Sequence, residues 1–386
     1  MKKLAVTGMV SVVLASSLMA DVVSKANDSL GDFLIAPFYQ ASNDICSEIR
    51  VLNTNETASI LAKVTFRERI SSQEVDLPIF LSPGDVWSGT VCNVNGHAVL
   101  KSTDDSNHPA ARAILANGKD LDAQSVAAGH TNVDFTSGYV EIYPIAEFRE
   151  GSKAKVDKNL LVKRWDSLIA GNVNLPKLKK DGVDGYSLTG QVLFKDGWNA
   201  PVTAVQNMTA FKGTHDRQLS GSVISYGNDT SPETLLGAIK KQQLLKVMQN
   251  STAVVSYDNY GKDQFITFTY PFSYTEGQAR KYKVIVRDME ENKDIKTETI
   301  IFSPAPIRKA QSMLNEVSVL SVADIISKTK NPDMFKKGQI QVQDITNITN
   351  VQLGNAKYAS FLSTNIRSGK EDNKNIIVNA GYAVTK

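Results

Sequence analysis

Three histidines and the aspartates between two of them are the first residues in this chain whose types suggest chemistry. His97, His108 and His130, with Asp104 and Asp105 between the first two, offer imidazole nitrogen and carboxylate oxygen, a donor set that divalent metals accept. Their spacing does not repeat a zinc pattern such as His-Glu-x-x-His, and a solvated polar loop explains them as well, so no metal ligand is assigned. Asp288-Met289-Glu290-Glu291-Asn292 supplies oxygen atoms but lacks the regular spacing and the glycine of a calcium loop, and a charged hairpin turn is the better reading. The chain has no Gly-x-Ser-x-Gly elbow, phosphate-binding glycine loop or dinucleotide fingerprint. A Ser-His-Asp triad needs no adjacency in sequence, so a hydrolase stays open, but no catalytic residue and no cofactor is named. Tyr257, Tyr260, Tyr270, Phe272 and Tyr274 form an aromatic stretch. It suits a sugar-stacking or protein-contact surface, although such alternation in β proteins more often packs core and cross-strand neighbours.

The two cysteines, Cys46 and Cys92, matter because of where the N-terminus sends them. Lys2 and Lys3, the apolar run Leu4 to Leu14 and the small-residue approach Ser16 to Ala20 compose a secretory leader, with cleavage expected before Asp21. A membrane anchor is the rival reading, but this apolar core is shorter than the ~20 residues that cross a bilayer. Export carries the cysteines to compartments where disulfides persist, so a Cys46–Cys92 bridge is expected, with two buried free thiols as the alternative. Loss of Lys2 and Lys3 takes Lys+Arg from 43 to 41 against 40 Asp+Glu, a net charge of +1 instead of +3. That balance leaves no excess to hold nucleic acid. No later segment is long and apolar enough to span a membrane.

The elements that would position these residues are mostly strands. Ser47 to Leu52, Ala58 to Arg69, Val75 to Leu81 and Val86 to Val91 follow one another with turn residues between them. In the second, Ile60, Ala62, Val64 and Phe66 alternate with Lys63, Thr65 and Arg67, which predicts a half-buried strand. Ser82-Pro83-Gly84-Asp85 reads as a turn in which Gly84 supplies a positive φ, Asp85 bonds nearby backbone, and Trp87 starts a strand as a core residue. Residues 101–134 are polar and read as a surface excursion with a short helix at Pro109 to Leu115. Strand pattern resumes at Ser137 to Ile145, with Val140 and Ile142 on one face and Tyr139, Glu141 and Tyr143 on the other. Arg149 to Asp184 reads as a connector with a short helix near Leu160 to Trp165. Further strands are predicted at Ser187 to Phe194, Val202 to Phe211, Ser220 to Tyr226, Thr252 to Tyr257, Phe265 to Tyr270, Lys281 to Arg287 and Thr297 to Phe302. Three more follow at Gly338 to Asp344, Tyr358 to Ser363 and Ile376 to Val384. Helices are predicted at Pro232 to Met248, capped by Ser231, and near Val322 to Ser327.

Several short strands between turns make the fold class mainly β, an antiparallel, immunoglobulin-like sandwich with a few short helices. The expected organisation is a leader over 1–20, an N-terminal β-sandwich region over 21–150 and a second β-rich region over 151–386 with a helix at 232–248, with one continuous domain over both regions as the alternative. The interrupting charged connectors disfavour an outer-membrane barrel.

Leu81-Ser82-Pro83-Gly84-Asp85-Val86-Trp87, Lys101 to Ser106, Gly138 to Ile142, and Phe302-Ser303-Pro304-Ala305-Pro306 through Asn315 to Leu320 are the segments that carry a resemblance. In order and spacing they resemble a group of exported bacterial β-rich proteins without an assigned activity. Where those relatives carry a cysteine after the Thr-Asp-Asp-Ser-like segment, this chain has Ser106-Asn107-His108-Pro109. The resemblance implies export and a shared fold, and it carries over no catalytic residues. Together these readings favour an exported, non-enzymatic structural, adhesive or surface-interaction module of the periplasm, outer surface or medium. Its partner would be a second copy, a cell-surface protein or a glycan. An exported hydrolase or metal-dependent enzyme built around residues 97–130, or a soluble carbohydrate- or peptide-binding protein, are the alternatives.

Overall fold

A computed structural model describes residues 24–26, 28–31, 33–42, 44–56, 58–70, 72–148, 158–169, 188–212, 252–269, 280–290, 293–294, 299–302, 317–344, 362–371 and 374–379. The leader at 1–20, the strand expected at 220–226 and the helix expected at 232–248 lie outside these residues.

Alternating β-branched and aromatic residues dictate antiparallel sheets that bury one face against another. The first sheet contains β1 (Ser24–Lys25), β2 (Phe33–Gln40), β4 (Ser59–Glu68), β5 (Glu74–Leu81), β9 (Ser137–Phe148) and β12 (Thr209–Lys212), in the order β1-β12-β2-β9-β4-β5. The second contains β3 (Ile45–Asn53), β6 (Val86–Val94), β7 (His97–Lys101), β8 (Lys119–Asp120), β10 (Leu188–Asp196) and β11 (Val202–Asn207), in the order β11-β10-β3-β6-β7-β8. Their facing residues form one core: Leu34, Val64, Phe66, Val140 and Ile142 from the first sheet meet Ile49, Val51, Trp87, Val192 and Phe194 from the second. The predicted antiparallel sandwich is therefore present.

Residues 188–212, expected in the second region, run in these first two sheets. β10 pairs with β3 along its whole length, and β12 lies between β1 and β2. Segment 101–134 is also more than a surface excursion. It folds into α1 (Pro109–Asn117), β8 and α2 (Leu121–Ala127), and Leu115 and Leu121 are buried in the core. Within the connector stands α3 (Lys158–Ile169).

The half-buried expectation for β4 is corrected: all ten of its residues are buried. Lys63 and Arg67 are tolerated there because carboxylates neutralise them. Lys63 pairs with Asp76 and Glu74, and Arg67 pairs with Glu74 and Glu141. A charge that the alternation rule sends to water stays inside when its counter-charge sits on the next strand.

A second pair of sheets follows. One joins β13 (Thr252–Tyr257), β19 (Gly338–Asp344), β15 (Arg280–Asp288) and β16 (Lys293–Asp294), with β17 (Thr299–Phe302) also on β15. The other orders β18 (Val317–Ser321), β14 (Gln264–Thr269), β20 (Leu362–Glu371) and β21 (Lys374–Asn379). Between them Val255, Ile266, Phe268, Val284, Ile340 and Val342 pack with Val322, Ile325 and Ile326 of α4 (Val322–Ser327), where Ser321 caps the helix through the Asp324 N–H. The two sheet pairs touch: the Thr269 hydroxyl donates to the Pro37 carbonyl, and the Val317 N–H bonds the Arg69 carbonyl at 3.2 Å. No helix among the described residues is long and apolar enough to cross a membrane.

Candidate functional site

The cysteines are joined. β3 and β6 are neighbours in the second sheet, with Ser47 opposite Val91, so Cys46 and Cys92 fall side by side with Cα atoms 4.4 Å apart and form a disulfide. The bond ties the first and fourth predicted strands, which are neighbours in one sheet.

Two of the segments that carry the resemblance fold against each other as one hydrogen-bonded knot. Gly84, at φ 72°, turns the chain so that the Asp85 carboxylate accepts from the Ser82 and Val86 N–H groups and from the Ser106 hydroxyl. Trp87 is fully buried, and its indole N–H donates to the Asn107 side-chain carbonyl at 2.8 Å. Asn107 donates in turn to the Ser102 hydroxyl (2.8 Å) and the Asp104 carbonyl (2.9 Å). Ser102 donates to the Ser88 carbonyl, while the Asp104 carboxylate accepts from the Ser88 and Ser106 N–H groups. The Phe80 N–H bonds the Ser106 carbonyl, so the outer edge of β5 is met by the same loop. Most of these polar groups hold backbone, while the Trp87–Asn107, Asn107–Ser102 and Ser106–Asp85 bonds join side chain to side chain and close the knot.

α3 docks beside the knot. Lys158 bonds Asp85 (2.8 Å), Asp105 (2.5 Å) and the Ser106 hydroxyl (3.0 Å), and Leu161 is buried. Asp166 meets His108 Nε2 at 2.9 Å. The hydrogen bond from Lys158 holds Asp105 below the usual carboxylate range, with partial burial opposing it. Burial pulls Lys158 down, and the bonds to Asp105 and Asp85 more than offset it, leaving the ammonium raised.

The histidines do not converge. The ring of His108 accepts from the Ala110 N–H at the start of α1 and faces Asp166, and the backbone N–H of His130 closes the end of α2 on the Ser125 carbonyl. His97 lies on β7, where its Nδ1 is 3.0 Å from Asp120 on β8, and Asp122 completes a group of three whose donor atoms lie within 4.8 Å. Asp120 and Asp122, which the sequence reading did not single out, are both half-buried, whereas His97 is exposed. Yet the two Asp122 oxygens accept from the Ala98 and Phe135 N–H groups, and Asp120 caps α2 through the Ala123 N–H. These carboxylates position β7, α2 and the approach to β9, and a metal would have to share them.

The remaining sequence expectations place simply. The Asp288 carboxylate accepts from the Glu290 N–H in the β15–β16 hairpin, as a charged turn should. Tyr257 is buried, and its phenol is pushed up to about 12, first by burial and then by Asp288, whereas Tyr260 lies beneath the Lys336 ammonium at 5.9 Å. Tyr270, Phe272 and Tyr274 fall outside the described residues. Lys101 sits 4.5 Å above the Trp198 ring, a cation–π contact on the second sheet. Comparison with family models, with curated proteins and with solved structures returned no match.

Proposed function

We propose that the chain is an exported envelope or extracellular protein that works by contact, as a structural, adhesive or surface-interaction module. The observation that carries this reading is the use made of the side chains best suited to chemistry. Asp85, Asp104, Asp120, Asp122, His108 and Asn107 spend their polar atoms on backbone and loop partners, and so build shape. A disulfide between neighbouring strands suits a protein that persists outside the reducing cytoplasm. The resemblance to exported proteins and the leader-like N-terminus support the same location. The partner is proposed to be a second copy, a cell-surface protein or a glycan.

Fractionation of the native host, with intact mass and size-exclusion of the product, tests the reading. A chain beginning at Asp21, found on the surface or in the medium and assembled with itself or another envelope component, supports it. A periplasmic monomer that turns over a substrate would replace it with the enzyme reading, and retention of Met1 in the membrane would remove the leader on which export rests.

A further inference from the structure

Lysine is rarely buried on the outer face of a sheet, because its ammonium has to leave water. Lys63 is 2% exposed and ranks among the largest fully buried side chains among the described residues. It lies on β4, where Thr65 faces Asp76 and Arg67 faces Glu74 on β5, so Lys63, Asp76 and Glu74 project from the same face of adjacent strands. The Lys63 ammonium is in direct contact with the Asp76 carboxylate, and Glu74 Oε1 lies 3.9 Å away. Glu74 is itself fixed by the Arg67 guanidinium at 2.7 Å, and Arg67 by the fully buried Glu141. An amine, a carboxyl group and a second carboxylate are thus held together in a rigid sheet, the arrangement in which proximity replaces activation.

We propose that Lys63 and Asp76 join through an intramolecular amide between Nζ and Cγ. Within the pair a proton passes from the ammonium to the carboxylate, giving amine and carboxylic acid. The amine lone pair attacks Cγ, the C–OH bond breaks, and one water leaves carrying the hydroxyl and the amine's second proton. No oxidant, metal or nucleotide is consumed. Glu74 is placed to accept that proton from nitrogen and return it to the departing hydroxyl. The product links β4 to β5 covalently and removes the buried Lys63 charge together with that of the half-buried Asp76. It stands independently of the role proposed above.

Intact mass of the full chain after reduction of the disulfide is the test. The amide lowers the mass by about 18 Da, one water, relative to the sequence of the same cleaved product. After reduction and trypsin, residues 51–67 and 70–101 then run as one species with cleavage blocked at Lys63. Lys63→Met restores full mass and separate peptides. Asp76→Asn still links but expels ammonia, a loss of about 17 Da, which identifies the bond chemically even if the lysine variant does not fold. In Glu74→Gln the linked species forms more slowly. Full mass and separate peptides in the reduced wild-type chain would overturn the proposal and leave an ion pair.

Discussion

Replacing Asn107 by alanine probes whether the knot between the two resemblance segments stabilises the first sandwich. The side chain is 1% exposed and bridges three partners: the Trp87 indole N–H, the Ser102 hydroxyl and the Asp104 carbonyl. Alanine leaves the Trp87 N–H inside the core without its acceptor, which costs about 1–3 kcal/mol. The lost donations to Ser102 and Asp104 add about 0.5–1.5 kcal/mol each, partly recovered by relaxation, so a total of about 2–4 kcal/mol is expected. Trp87→Phe removes the same donor from the other side. In that background Asn107→Ala should cost about 1–2 kcal/mol less than in the wild type, because no indole N–H remains to be orphaned. Urea unfolding with the disulfide intact, followed by tryptophan fluorescence and by circular dichroism, measures all four corners of the cycle. Equal costs of Asn107→Ala in both backgrounds would show that the Trp87–Asn107 bond contributes nothing. A single-variant cost below about 0.5 kcal/mol would refute the larger claim that the knot stabilises this end of the sandwich.

Reducing the disulfide, or replacing both Cys46 and Cys92 by serine, should destabilise the first sandwich by about 4 kcal/mol in the chain-entropy account, read as a drop in urea midpoint with a steeper slope, because the denatured chain without the cross-link exposes more surface. Lys158→Met should release α3, seen as faster amide exchange over 158–169 with β3 and β10 unchanged. The same docking has a pH signature. Asp105 is lowered by Lys158, so its contribution is present above the unfolded carboxylate value and is lost as pH falls through the folded one. Lys158 is raised, so its contribution is present below the unfolded lysine value and is lost as pH rises through the folded one. Exchange over α3 should therefore quicken at both extremes in the wild type and be already fast at neutral pH in Lys158→Met. Tyr39→Phe should be neutral or raise stability by up to about 1 kcal/mol, because the fully buried Tyr39 hydroxyl has no hydrogen-bond partner among the described residues. Its phenol is raised far above the ordinary value by burial first and by Asp122, Glu68 and Asp134 next. A loss above about 1 kcal/mol on the same urea assay would mean that the hydroxyl is satisfied after all.

Local pattern carried the strands well, because each is bounded by turn residues and alternates strongly. β13, β19 and α4 fall where the sequence placed them, and the Pro83-Gly84 turn and the buried Trp87 follow from residue chemistry alone. β2 and β7 were missed, β7 although Asn95-Gly96, both at positive φ, joins β6 to β7 as a two-residue hairpin turn should. The buried face of β4 was misjudged because alternation records polarity, and the carboxylates that neutralise Lys63 and Arg67 lie on other strands. The knot was half legible: both segments stood out, but nothing local in Lys101 to Ser106 says that Asn107 will meet Trp87. Lys158 gave no signal, since one lysine in a charged connector looks like any other. Long-range pairing decided these cases, and it decided the placement of β10 as well, whose partner β3 lies more than a hundred residues earlier.

That last pairing has a consequence for biogenesis. Any machinery that delivers a chain N-terminus first, ribosome or secretion channel, releases β3 long before β10 and releases β2 long before β12. Until residue 212 has emerged, one flank of β3 and one flank of β2 present open hydrogen-bonding edges beside a half-covered core. A chain cut short of residue 212 therefore lacks the strands that close these two edges. A fragment ending near 150 is expected to aggregate instead of folding as a smaller sandwich.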